Sequence, residues 1–479
     1  MKMIQLNKQK HNEPKFRELG MMISDLKDLL NEDVNLNNDQ WKRNLNTIVD
    51  FQDSDGSFKL FDSYQIPIDA RIDFCYMPTY LCTAILMKAY MTDSAKFSPK
   101  EKSGLLNGLK MSCAKNLRGH GYEAFKGQIE ALNIFMKAGL NEFMDLYPDF
   151  CPEFSEMIRK IISQFQNKES QGNFLGPWKE SYENEIRAIN EYFSHRNVFV
   201  YGTLMRGEAN HHFLQDSTCL NKATISGYDM YNLGWYPAIK PGDNLIIGEL
   251  YQVPLDDMPS IDMLEAEGRL YTKKCERVTN AEGNTTFAFV YVYINDCTNN
   301  EKIDSWNNEY VWYVSYGSNM LKERFMHYIE GGSYKSSTYR QPCDDATHPL
   351  SVKTVEIDYP MYFGNSSGSW ENGGVSFLDT SKNGKALGVA YLITKEQFEH
   401  IAAQENGGRP PQEGYGWYED IIDLGMMDGF KMKTITNRNI RDYNRPSKKY
   451  ISTLVNGIKQ NWPNMRYEDI WDYLNNCIR

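Results

Sequence analysis

Val198-Phe199-Val200-Tyr201-Gly202-Thr203-Leu204-Met205-Arg206-Gly207 is the stretch on which the reading of this chain turns. Its first four residues are β-rich, and the run ends at a glycine. Glycine lets the backbone turn tightly and leaves successive N–H groups pointing outward as an anion-binding nest. The turn is not a nucleotide P-loop, because no Gly-Lys-Ser/Thr stands at the required spacing.

Upstream of this stretch the pattern is helical. Pro78 to Met91, Glu101 to Leu117, Glu123 to Tyr147, Pro152 to Phe165 and Trp178 to Phe193 carry apolar residues three and four apart. Gln171 to Pro177 reads as a loop. Downstream, short strands alternate with glycine turns, at Leu245 to Val253 and Phe287 to Ile294, until an acidic, Asn-rich linker from Asn295 to Asn308. Val311-Trp312-Tyr313-Val314-Ser315-Tyr316 then opens a second β-rich unit that ends at Gly317. Further strands are expected at Gly374 to Leu378 and Ala386 to Ile393, and helices at Lys395 to Gln404 and Arg466 to Ile478. A strand, a Tyr-Gly turn and, about 60 to 90 residues later, a glutamate after a helix-like stretch therefore occur twice. The expected division is an all-α module over 1–195, a mixed unit over 196–300 and another over 309–479.

A chain of 479 residues is long enough for about three compact units. Its 63 acidic against 52 basic side chains give a formal charge of −11, which argues against a general nucleic-acid or anionic-membrane surface. The N-terminus has no apolar core of signal-peptide length, and no stretch approaches the roughly 18 apolar residues of a membrane span. A cytoplasmic protein is expected. Nine scattered cysteines without a CxxC pair read as reduced thiols, not as a disulfide framework or a zinc site.

Several segments then follow Tyr201 to Leu204 in order: Gly207 to His211, Gly227 to Tyr231, Tyr236 to Ile239, Gly248 to Tyr251 and Ile261 to Glu265. That succession resembles the gamma-glutamylcyclotransferase and gamma-glutamylamine cyclotransferase superfamily over about a hundred residues. The resemblance implies a small mixed β-barrel flanked by helices, and a catalytic glutamate followed six residues later by tyrosine. Glu265 and Tyr271 have that spacing, so Glu265 is the matched acid and Glu267 is not. Tyr201, Gly202, Thr203, Leu204 and Tyr271 are the implied substrate-binding residues. Trp235 departs from a glycine common in its loop, and Lys273 stands where arginine is frequent.

Tyr316-Gly317-Ser318-Asn319-Met320, with Glu323-Arg324-Phe325 after it, is similar to a second branch of the same superfamily. Gly373 to Phe377, Gly388 to Ile393, Gln404 to Asn406, Trp417-Tyr418, Asp423 to Gly425 and Pro446 to Tyr450 continue the match. Here Glu405 holds the catalytic position, and Tyr316, Gly317, Ser318 and Asn319 form the binding turn. The expected architecture is a helical module followed by two gamma-glutamylcyclotransferase-like barrels.

The implied chemistry is self-contained. A γ-glutamyl amide carries its own nucleophile, the α-amino group, and ring closure yields 5-oxoproline and a free amine. Holding the chain curled pre-orients that attack. One carboxylate can take the proton from the attacking nitrogen and return it to the leaving one, worth about 10²- to 10⁴-fold. Loop N–H groups can hold the substrate carboxylate or the developing oxyanion. No metal, nucleotide or other cofactor is required. The expected partner is a small-molecule or peptide γ-glutamyl substrate, with no nucleic acid and no membrane. The alternative is a non-catalytic binding or scaffold protein that holds γ-glutamyl-bearing or modified peptides; a third is another amide-processing activity on a modified peptide.

In the helical module, Gln52-Asp53-Ser54-Asp55-Gly56-Ser57-Phe58 lacks the alternating ligands and closing glutamate of an EF-hand. It is similar to a structural turn of α/α-toroid proteins, which implies a non-catalytic role. His211-His212 lacks a third ligand at metal-binding spacing and reads as a polar loop pair.

Overall fold

The computed structural model describes residues 3–10, 15–61, 72–117, 124–170, 179–307, 309–334, 339–414 and 416–478. The loop expected at Gln171 to Pro177, and with it Trp178, lies outside them. Helices α1 (Phe16–Asn31) and α2 (Asp39–Phe51) precede the first helix expected from sequence. They are followed by α3 (Met77–Thr92), α4 (Pro99–Ala114), α5 (Ala124–Lys137), α6 (Leu140–Leu146), α7 (Pro152–Ser170) and α8 (Lys179–Ser194).

The central helix is α3, buried at every residue from Met77 to Met91 because apolar side chains occupy all its faces. Its one ammonium, on Lys88, is satisfied by donating to the carbonyls of Leu30 and Glu32 at 2.7 and 2.9 Å. A capping box between Ser98 and Glu101 starts α4. Gln52 ties the turn at Gly56 to α4, since its amide donates to the carbonyls of both Gly56 and Gly104. The stretch Glu123 to Tyr147, expected as one helix, breaks between α5 and α6 at Gly139, whose φ is +82°. A Cβ there would stand 2.7 Å from Met91 and 2.8 Å from Phe287, so chain packing as well as backbone conformation demands glycine.

Helix α8 runs directly into β1 (His195–Val200). With β2 (Thr218–Asn232), β3 (Pro237–Pro254), β4 (Tyr271–Asn280), β5 (Thr285–Tyr293) and β6 (Lys302–Ile303) it forms one sheet in the order β3-β1-β5-β4-β2-β6. A further β3–β2 pairing closes the first five strands on themselves, so this is a barrel. Strand β1 lies between antiparallel β3 and parallel β5. The short helix α9 (Met258–Leu264) sits between β3 and β4.

The C-terminal part contains β7 (Tyr310–Ser315), α10 (Lys322–Glu330), β8 (Ser351–Ile357), β9 (Met361–Ser367), β10 (Gly373–Leu378) and β11 (Ala386–Thr394). It continues with α11 (Lys395–Glu405), β12 (Asp420–Met427), β13 (Phe430–Thr436), α12 (Lys448–Asn461) and α13 (Tyr467–Cys477). Its five-stranded sheet runs β12-β13-β7-β11-β8, with β9 and β10 paired separately. Here β7 lies between antiparallel β11 and parallel β13, the same neighbours in kind that surround β1.

The helices and the first barrel share a core, because Phe287 of β5 is buried among the helical residues. Leu245 and Ile247 of β3 are buried in the C-terminal core. All nine cysteines are free thiols. Among the described residues no helix is long and apolar enough to cross a membrane.

Arg196 pins β1 to the helices: its guanidinium donates to both carboxylate oxygens of Asp145 on α6, at 2.6 and 3.3 Å. The Arg196 side chain is only 7% exposed, whereas that of Asp145 is 35% exposed. Replacing Arg196 by Met should therefore cost about 2 kcal/mol, less than for a fully buried pair. Hydrogen exchange should show faster opening in α6 and β1; unchanged protection there would mean the pair does not hold the junction.

Candidate active site

Strand β1 delivers Tyr201 and Gly202 to the rim of a cleft of about 280 Å³. The Tyr201 hydroxyl donates to the carbonyl of Tyr291 at 2.5 Å, fixing the strand end to β5. Gly202 passes so close to Pro237 that a Cβ would lie 2.6 Å from its ring. Thr203 is steadied by Asn210, which donates from its side-chain amide to the threonine hydroxyl and from its backbone to the Thr203 carbonyl, both at 3.0 Å. Among the described residues, the amides of Gly202, Thr203 and Leu204 have no hydrogen-bond acceptor. They are donors held in place by the turn and left for a ligand.

Glu265 caps the C-terminal end of α9 and lines the same cleft. Its carboxylate has no ion-pair partner among the described residues, and no cation lines the cleft. Burial pushes its pKa up to about 7. Burial raises the pKa values of Tyr201, Tyr271 and Tyr291 and the charge of Glu265 adds to it, so these three residues, which line the same cleft, are neutral. Tyr271 donates to the Pro237 carbonyl at 2.8 Å and thereby holds the wall that faces Gly202. Lys273 is engaged by Asp262, at 3.0 Å to both oxygens, and does not line the cleft. Trp235 lines the cleft and is 89% exposed at its edge. Each of the two neighbouring histidines is hydrogen-bonded to a backbone carbonyl, His211 to Leu204 and His212 to Ala209.

The C-terminal sheet repeats this construction at larger scale. A cleft of about 550 Å³ is lined by Tyr316, Gly317, Ser318, Asn319 and Glu405. The Tyr316 hydroxyl donates to the Ile435 carbonyl on β13 at 2.7 Å, as Tyr201 does to β5. Glu405 ends α11, a helix started by a capping box between Thr394 and Gln397. Unlike Glu265, it is engaged: Asn319 donates to it at 3.0 Å, and the Arg340 guanidinium lies 3.9 Å away.

Each turn named from sequence thus shares a cleft with its matched glutamate. Asn210, Trp235 and Tyr291 also line the first cleft, and Arg324, Arg340, Trp370 and Lys449 the second. Asn210 falls inside a segment that carried the resemblance and Trp235 was named as a departure beside one; Arg340 and Trp370 belong to none of them.

Residues 198–311 match the family model described as gamma-glutamyl cyclotransferase, AIG2-like. The gamma-L-glutamyl-butirosin B gamma-glutamyl cyclotransferase of Niallia circulans is 33% identical over 116 residues, covering 23% of this chain and 74% of that protein. The gamma-glutamylcyclotransferase family protein YtfP of Escherichia coli is 30% identical over 96 residues, covering 20% and 80%. Among solved structures, YkqA from Bacillus subtilis aligns over 59% of this chain and 97% of its own, at 20% identity and a TM-score of 0.23.

The buried carboxyl leaves a thermodynamic signature. Glu265 ionises near 4.5 when unfolded and near 7 when folded, so between these values the folded chain binds more protons. Its contribution to stability therefore falls as pH rises through this window, and the loss is complete above about 7. Glu265→Gln should be more stable than the wild type by ~1–3 kcal/mol at pH 8 and equal to it at pH 4. Urea unfolding read by hydrogen exchange in β1 and β3 checks this; a difference independent of pH would show that Glu265 is not desolvated.

Proposed function

We propose, from the premise that this chain belongs to the gamma-glutamyl cyclotransferase family, that it cyclises γ-glutamyl amines or amides to 5-oxoproline, with Glu265 as general acid–base. The observation that carries this reading is an unpaired, burial-shifted carboxyl sharing a cleft with unused turn amides. In the proposed reaction the γ-glutamyl head curls in the cleft and its α-amino nitrogen attacks the γ-carbonyl carbon. A new C–N bond closes the five-membered ring, and the oxyanion is held by the amides of Gly202 to Leu204. Glu265 takes the proton lost by the attacking nitrogen and gives it to the departing one. The original amide C–N bond then breaks, leaving 5-oxoproline and the amine. A pKa near 7 suits both steps, since the acid and base forms coexist at neutral pH.

The proposed organisation is a helical module over 1–195 and cyclotransferase-like units over 196–300 and 309–479. The matching neighbours of β1 and β7, and a glutamate ending the helix after β3 and again after β11, support two such units. For the second cleft a binding role is a distinct reading, favoured by one observation: Glu405 is already held by Asn319, with Arg340 beside it.

With Glu405 silenced by Glu405→Gln, adding Glu265→Gln should reduce 5-oxoproline release by at least about 10²-fold while leaving the fold intact. Mass-spectrometric detection against a panel of γ-glutamyl dipeptides and amines checks this, and full release by the double variant would remove Glu265 from the mechanism. In the Glu405→Gln chain the rate should rise with pH through about 7 as Glu265 ionises, and a chelator should leave it unchanged. A rate that is flat from pH 5 to 8, or that needs added zinc or magnesium, would overturn the carboxylate mechanism.

A further inference from the structure

The two clefts differ most in charge. Among the described residues, Glu265 is the only charged side chain lining the first. Among the described residues, the second is lined by three cations, Arg324, Arg340 and Lys449, against the single carboxylate of Glu405. Arg340 lies beside that carboxylate. Arg324 is 7% exposed, yet among the described residues it has no ion-pair partner. Its Nε donates to the Ser318 hydroxyl at 2.8 Å, and its guanidinium carbon lies 5.0 Å from the centre of the Trp370 ring. The Lys449 ammonium, also without an ion-pair partner among the described residues, lies 5.6 Å from the same ring.

A buried guanidinium without a counter-charge is costly, and a second cation near the same ring adds positive potential to the cleft. An anion brought by the ligand removes both penalties. A γ-glutamyl head is zwitterionic, so its carboxylate and ammonium cancel and leave the excess positive charge of the cleft where it was. A second anion, on the other half of the ligand, would supply the compensation that the zwitterionic head does not. The first cleft, with no cation, has no counterpart for such a group.

We infer that the Trp370–Lys449 side of the second cleft, together with Arg324, is a subsite for an anionic group, carboxylate or phosphate, carried by the amine half of a γ-glutamyl compound. The inference rests on the γ-glutamyl reading above for the head of the ligand, but not on turnover. Lys449 is the specificity-determining residue most open to test, because it stands partly exposed in the first turn of α12, where substitution spares the core.

The test is calorimetric titration of the full chain carrying Glu265→Gln, with Glu405 kept in place to receive the ligand's ammonium. Three ligands share the γ-glutamyl head: γ-L-glutamylethylamide, γ-L-glutamylglycine and γ-L-glutamyl-2-aminoethyl phosphate. The two anionic ligands should bind one site about tenfold more tightly than the ethylamide, the value of one charge-assisted hydrogen bond. The tighter of the two identifies the group as carboxylate or phosphate. That preference should shrink to about twofold in Lys449→Met, reverse in Lys449→Glu, and weaken as salt rises. A preference that both Lys449 variants retain, or equal binding of all three ligands by the parent chain, would overturn the subsite. If no γ-glutamyl compound binds but inorganic phosphate does, in a Lys449-dependent way, the anion site stands and the γ-glutamyl reading falls. Failure to bind phosphate as well would overturn both.

Discussion

The structure depends on a strand that is hydrogen-bonded along both edges. β1 is held by β3 on one side and by β5 on the other, and its end is fixed by the Tyr201 hydroxyl on the Tyr291 carbonyl. The turn that follows cannot drift, so its amides keep their direction even without a ligand. Preorganised donors of this kind cost no reorganisation when charge develops before them. The same device recurs at β7, with Tyr316 and Ile435 in the corresponding roles. Distant parts of the chain meet the requirement for rigidity. Pro237 presses on Gly202, and Tyr271 holds the Pro237 carbonyl in place.

On these two similar frames the carboxylates have different surroundings. Glu265 is desolvated with nothing to compensate it, and therefore holds its proton up to neutral pH. Glu405 has an amide donor and a guanidinium within reach. A carboxylate that must exchange a proton benefits from the first environment, and one that must hold a ligand's ammonium in a fixed place benefits from the second. The proposed division of labour follows from this contrast and not from any difference in the Tyr-Gly turns.

Much of this was legible in the sequence where the signal is local. The Val198 to Tyr201 run, the glycine after it and the spacing from Glu265 to Tyr271 are all short-range features. The long strands β2 and β3 were harder to read. Register shifts between Cys219 and Asn221, and between Ser226 and Tyr228, flip the side-chain alternation within a single strand. Helix α1 carries a period of its own, with Leu19, Ile23, Leu26 and Leu30 on its buried side, although the helices expected from sequence begin only at Pro78. The break at Gly139 was hidden for another reason: the glycine is required by Met91 and Phe287, which lie far away in the chain. The convergence of Arg324, Trp370 and Lys449 is likewise a product of the fold, and no spacing rule connects them.

The helical region bears on the first cleft through mechanics, not chemistry. Phe287 sits near the start of β5 and is buried among the helices, while Tyr291 sits near the end of the same strand and lines the cleft. Between them, Phe289 is fully buried and pairs with Val198 of β1. A strand so held transmits displacement along its length instead of absorbing it, because close-packed interiors repack in discrete steps and resist continuous deformation. Arg196 adds a second tie, from β1 to Asp145 on α6. Both strands that shape the Tyr201 turn are thus anchored at their far ends in the helical core. Helix packing therefore bears on those N–H donors through β1 and β5, while none of the described side chains of the helical module lines the cleft.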